Sequence, residues 1–266
     1  MKKGLLFPLC ILLLVFACQT VPITGRQQLQ LLPADTVFSL SLDAYKEFLS
    51  EHRVVANTKE AEMVKNVGQR IQRSVEQFFA SRNMSDRLKG YQWEFNLVDD
   101  KEMNAWCMPG GKVVVYTGIL PVAQNETGLA VVMGHEIAHA VANHGNERMS
   151  QAMLVEMGGV GLSAALSQYR ESSVGLVMAV YGIGTGVGVL LPYSRLQESE
   201  SDRLGLIFMA MAGYDPHASV DFWKRMAASK QGASPPEFLS THPADAARIR
   251  NIEGLIPEAM GYYRKS

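Results

Sequence analysis

"VVMGHEIAHAVANHG", residues 131–145, places three histidines and one glutamate in an otherwise apolar run. Ionisable side chains are costly to bury without partners, so this segment needs something to satisfy them. His135 and His139 are four residues apart, and on a helix such residues stand on one face a turn apart. Both imidazoles then reach a single metal ion. Glu136 lies about 100° further round the helix, beside the metal rather than on it. A base must stand there to take a proton from a water that the metal activates. His144, five residues beyond His139, is rotated about 140° from it on a continuous helix and reads as scaffold. Leu129, Ala130, Val131, Val132, Met133, Ile137, Ala138, Ala140 and Val141 make the segment apolar on nearly every side. The helix is therefore buried, and a metal is the partner its histidines require.

Two histidines leave zinc short of a third protein ligand. Cys107 offers a thiolate, and the other source is a carboxylate. "YSRLQESESDRLGL" (193–206) carries Glu198, Glu200 and Asp202 at alternate positions of a helical-looking stretch. Glu198 and Asp202 share a face, whereas Glu200 projects the other way and is expected to meet solvent. The chemistry asks for one carboxylate on the metal and one holding a ligand histidine by its other nitrogen. Spacing alone does not say which does which.

Around these segments the chain reads as an α+β fold that is mainly α, with a small sheet beside the histidine helix. Residues 42–53 look helical. Asn57 and Glu60 form a capping-box pattern, followed by Val64, Val67, Ile71, Val75 and Phe78 at helical spacing. "YQWEFNLV" (91–98) alternates as a half-buried strand does. "DDKEMNAWCMPGG" reads as a connection, "KVVVYTG" (112–118) as a second strand, and Asn125 as the cap of the histidine helix. Residues 174–191 hold no charge, with Gly182, Gly184, Gly186 and Gly188 alternating. They read as a buried glycine-rich hairpin or helix pair, with contact to a membrane as the other reading.

The first 17 residues stand apart from the fold. Lys2 and Lys3 precede a charge-free run from Gly4 to Ala17, the layout of a secretory signal. Val15-Phe16-Ala17-Cys18 resembles the lipobox of bacterial lipoproteins, which implies cleavage before Cys18 and acylation of that residue. Gln19, by resemblance to enterobacterial sorting, implies an outer-membrane destination. The expected organisation is a signal peptide at 1–17, an extended tether at 18–40 and one catalytic domain at 41–266. A formal charge of −1 over 266 residues, with no basic tract, argues against nucleic acid as a partner.

"NAWCMPGGKVVVYTGIL", "VVMGHEIAHAVANHG", "SRLQESESDRLGL" and "FLSTHPADAARI", in this order, resemble metallopeptidase family forty-eight. "TVPITGRQQL" is similar to the branch that includes a mitochondrial inner-membrane stress protease. The resemblance implies a zincin-type (gluzincin) domain with one Zn²⁺ per chain. It implies His135, His139 and Glu198 as ligands, Glu136 as base and Asp202 as the outer carboxylate, and it leaves Cys107 a packed thiol. It also implies that His242, in the T-H-P loop, approaches the zinc and takes the water's place in a self-inhibited state. His242, Tyr193 and Arg195 are the candidates for steadying an oxyanion, and the strand at 112–117 for receiving substrate as an added strand. The expected protein is a zinc metalloendopeptidase, lipid-anchored in a bacterial envelope and facing the periplasm from the outer membrane. Its expected substrates are unfolded or misassembled envelope proteins. The alternative is a chaperone or outer-membrane assembly factor with silent or secondary proteolysis.

Overall fold

The computed structural model describes residues 18–157, 177–178, 180–181, 194–229 and 237–264. The leader reading of residues 1–17, the candidate Tyr193 and most of the 174–191 stretch lie outside them. Within that stretch Val177, Val180 and Tyr181 are buried. Among the described residues no helix is long and apolar enough to cross a membrane.

Strands β1 (Cys18–Thr20) and β2 (Gln27–Leu29) form an antiparallel hairpin. Helix α1 (Ala34–Glu51) starts inside the stretch expected to be an extended tether, since Val37, Ser41, Ala44, Tyr45 and Phe48 already form a buried helical stripe. Helix α2 (Lys59–Ala80) buries Val64, Val67, Ile71, Val75 and Phe78 as their spacing predicts. Its cap is Thr58, whose hydroxyl accepts from the Ala61 amide at 3.2 Å. Asn57, expected in that role, has φ 59°, and an N-cap needs the extended region instead.

The main sheet comprises β3 (Val54–Val55), β4 (Glu94–Val98), β5 (Ala105–Met108) and β6 (Lys112–Tyr116), in the order β3-β4-β6-β5. β4 and β6 run parallel and the other pairs antiparallel. β5 falls where the sequence reads as a connection. Ala105, Cys107, Val113 and Val115 face the main core, while Trp106, Met108, Val114 and Tyr116 face a second core shared with α1. Strands buried on both faces lose the polar–apolar alternation that announces a strand. Pro109, Gly110 and Gly111 make the tight turn between β5 and β6: the Gly111 amide donates to the Met108 carbonyl at 3.1 Å, and Gly110, at φ 87°, takes the positive φ that follows proline in such a turn. β6 is therefore interior and bonded on both sides, so it cannot receive an added strand as expected. The sheet's edge on this side is β5.

After the short helix α3 (Leu120–Ala123), the histidine segment lies on α4 (Glu126–Val141). Asn125 caps it, accepting from the Gly128 amide at 3.0 Å. Helices α5 (His144–Met157), α6 (Arg195–Met211), α7 (Ala218–Ala228), α8 (Glu237–Thr241) and α9 (Ala246–Met260) complete the described chain. α4 packs against β5, α2 and α6. Its approach to α6 is a contact of two glycines. A Cβ on Gly205 would stand 2.9 Å from the His135 nitrogen, and one on Gly134 would stand 3.0 Å from the Gly205 carbonyl oxygen.

Gly205→Ala is expected to cost about 1–3 kcal/mol by overpacking, read as a lower urea midpoint. Gly254→Ala, on an exposed helical position with open space around it, is expected to stabilise by about 0.5–1 kcal/mol. Equal effects of the two substitutions would show that the α4–α6 approach is not tight.

Candidate metal centre

Gly134 brings α4 against α6, and the residues beside the contact carry the ionisable groups. His135, His139, Glu198 and His242 each aim one donor atom at a common point, all within 4.8 Å of one another and all buried. His135 Nε2 lies 3.1 Å from His139 Nε2 and 3.2 Å from His242 Nδ1. Glu198 Oε1 lies 3.1 Å from His139 Nε2 and 2.9 Å from His242 Nδ1. Cys107, the other candidate ligand, is a free buried thiol outside this group. Burial, and then the Glu136 charge, push its pKa well up.

Hydrogen positions follow from the outer partners. Asp202 Oδ1 accepts from His135 Nδ1 at 3.0 Å, which leaves His135 Nε2 without a proton. His139 Nδ1 points at His144 Nδ1, 3.0 Å away, and with its proton there its Nε2 is bare as well. Two lone pairs 3.1 Å apart repel unless a cation lies between them. Ligand distances of about 2.0–2.1 Å around tetrahedral zinc place the donors roughly 3.3 Å apart, and the spacings here are close to that. The donor set fits zinc. Burial also lowers the pKa of His135 and, more strongly, of His139, so both imidazoles are held neutral, the form that binds metal.

The carboxylates are sorted by their neighbours. Burial pushes Glu198 upward, yet Arg248, His242 and His135 overturn that and hold it well below the ordinary range. Asp202 is lowered against burial by Arg248 and His135. Arg248 was not singled out from sequence. Its Nη1 lies 2.5 Å from Glu198 Oε2, and its Nη2 and Nε contact Asp202 at 2.7 and 2.9 Å. The guanidinium also covers the Trp223 ring at 3.5 Å. Glu136 behaves differently. Its Oε1 has no hydrogen-bond partner among the described residues, and burial, reinforced by Glu198, pushes its pKa up to about 7.

His242 stacks on Phe238 with ring centroids 4.5 Å apart, and its Nε2 lies 3.6 Å from Glu136 Oε1. It thus bridges the metal group and the Glu136 carboxylate. Arg195 is exposed at the start of α6 and only rims the cavity beside Glu198 and Arg248. Two expectations need correcting. Glu200 is buried, accepting from His144 Nε2 at 3.1 Å and paired with Arg26; the face of α6 away from the metal is covered by Thr24 and Arg26. His144 does not point away from His139. The helix breaks at Asn143, φ 59°, and α5 restarts at His144, which turns that ring back toward the ligand.

Comparison with known proteins agrees with this geometry. Residues 66–256 match the family model described as Peptidase family M48. The chain is 36% identical over 243 residues to the mitochondrial metalloendopeptidase OMA1 of Schizosaccharomyces pombe, covering 90% of this chain and 67% of that one. It is 35% identical over 186 residues to the protein of that name in Saccharomyces cerevisiae, covering 67% and 51%. A putative beta-barrel assembly-enhancing protease of Vibrio cholerae is 31% identical over 215 residues, covering 78% and 41%. The chain thus spans two thirds of the first relative's length and about half or less of the others'.

Arg248→Met leaves Glu198 and Asp202 buried without their cation. A loss of about 3–5 kcal/mol is expected, measured by unfolding of the metal-free protein. A change under 1 kcal/mol would remove Arg248 from this role.

Proposed function

We propose, from the premise that this chain belongs to peptidase family M48 and is a zinc metalloendopeptidase, that it cleaves unfolded or misassembled proteins of a bacterial envelope. The observation that carries the catalytic part is the convergence of donor atoms from His135, His139 and Glu198 beside buried Glu136, whose Oε1 has no hydrogen bond among the described residues. His135, His139 and Glu198 hold the zinc. Bound there, zinc supplies Lewis acidity that activates water and polarises the scissile carbonyl. Glu136 takes the proton of the attacking water and delivers it to the amine nitrogen as the C–N bond breaks. A pKa near 7 suits a group that must accept and then release a proton. Asp202 orients His135 through Nδ1, and Arg248 keeps both α6 carboxylates ionised.

His242 is the fourth donor of the group, in the position that an attacking water needs. We read this arrangement as the resting, self-blocked form. Of the three residues considered for the oxyanion, His242 alone among those described lies in the group. The edge strand β5, beside α4, takes over the substrate role first assigned to 112–117. Main-chain pairing there makes side-chain selectivity weak and favours extended, unfolded segments.

The leader-like residues 1–17 and the cysteine that follows support a lipid anchor on Cys18, with the domain in the periplasm on the outer membrane. The name of the Vibrio cholerae relative supports the same setting, though the mitochondrial relatives share the domain in a different compartment. A second reading is favoured by the filled fourth position: an assembly factor or chaperone whose proteolysis is silent at rest.

Glu136→Gln is expected to bind zinc as the parent does while casein cleavage falls by about 10²–10⁴; retained cleavage would sink the assignment. His242→Ala is expected to raise cleavage severalfold. Unchanged or reduced activity in that variant would mean that His242 does not block the site.

A further inference from the structure

The loop before β2 reaches the far side of the metal centre. Val21 is buried in the main core, and the loop 21–26 is closed by the Val21 amide donating to the Arg26 carbonyl at 2.8 Å and the Gly25 amide donating to Val21 at 3.0 Å. This presents Thr24 and Arg26 to Glu200. The Thr24 hydroxyl donates to Glu200 Oε1 at 2.7 Å, and Arg26 Nε and Nη2 donate to the same carboxylate at 3.0 and 2.9 Å. Arg26 also grips Glu147 at 2.6 and 2.8 Å. Glu200, so held, faces His144 Nε2 at 3.1 Å, and His144 Nδ1 faces His139 Nδ1 at 3.0 Å.

An ionised carboxylate only accepts hydrogen bonds, so Glu200 requires the His144 proton on Nε2. His144 Nδ1 is then an acceptor, a role that the Ser201 hydroxyl, 3.3 Å away, also accommodates. His139 must in turn carry its proton on Nδ1, and its Nε2 is left bare. Free of Glu200, His144 can put its proton on Nδ1 and donate to His139, which moves the His139 proton onto the nitrogen that faces the metal.

We propose that the loop 21–26 is a remote positioning element for the zinc site: Thr24 and Arg26 fix Glu200, and Glu200 through His144 keeps His139 Nε2 bare. Arg26, Glu200 and His144 are positioning residues, touching neither metal nor substrate. The proposal rests on His139 being a zinc ligand, as argued above.

The test is zinc affinity of the expressed chain, measured by chelator competition, with melting of the metal-free form recorded in parallel. His144→Phe and Arg26→Met are each expected to weaken zinc binding about 10–100-fold, as the loss of outer partners to a ligand histidine does. Because both act through one relay, the double variant is expected to bind no more weakly than His144→Phe alone. Multiplying effects, or unchanged affinity in either single variant, would overturn the relay. Thr24→Val removes one hydroxyl with little change in volume. It is expected to weaken binding about threefold, and it decides the matter with His144→Phe if Arg26→Met does not fold. His139→Ala separates the two readings. Retained zinc there would overturn the ligand assignment itself, whereas lost zinc beside unaffected relay variants would overturn only the relay.

Discussion

The closeness of two backbones at Gly134 and Gly205 is the constraint on which the site depends. His135 follows Gly134 directly, and Glu198 and Asp202 stand two turns and one turn before Gly205. Bringing the helix axes together there sets imidazoles opposite carboxylates at ligand spacing. Any side chain at the crossing would hold the facing donors apart. The close packing also removes water, and the perturbed protonation of the site follows from that. Burial keeps the ligand histidines neutral and raises Glu136, while Arg248 keeps Glu198 and Asp202 ionised against the same pressure.

Arg248 offsets one of the two charged carboxylates on α6 that it touches, and a divalent cation among the histidines would offset the other together with Glu136 when that group is ionised. Buried ions are tolerated when they are paired and hydrogen-bonded, and Arg248 meets that condition by touching two carboxylates and lying on Trp223. The last helix thus supplies the counter-charge for a site whose ligands come mostly from earlier elements.

The helical parts of the fold were legible because their apolar residues repeat at 3 and 4, as in α2, and because Asn125 sits where a cap must. The pairing of His135 with His139 on α4 and of Glu198 with Asp202 on α6 was legible for the same reason: four residues make a turn. β5 was hidden because burial on both faces erases alternation. For Glu200, helical periodicity gives a direction but not what lies in it, and the covering Arg26 is 174 residues away in the chain. The 140° rotation of His144 assumes an unbroken helix, and Asn143 breaks it. Arg248 gave no signal beyond being one arginine in an amphipathic helix. Nothing local marks a charge whose partners are on α6.

The metal group also bears on the unfolded chain. His135 and His242 are 107 residues apart, and Glu198 and His242 are 44 apart. An ion joining them closes long loops, and a cross-link around roughly 100 residues withdraws on the order of 4–5 kcal/mol of chain entropy from the disordered state. Among the described residues Cys107 is a free thiol, so the ion rather than sulfur supplies that link there. Zinc in this domain is then a reversible staple as well as a reagent: a chelator that silences the enzyme also lengthens the leash on which its three ligand-bearing segments can wander.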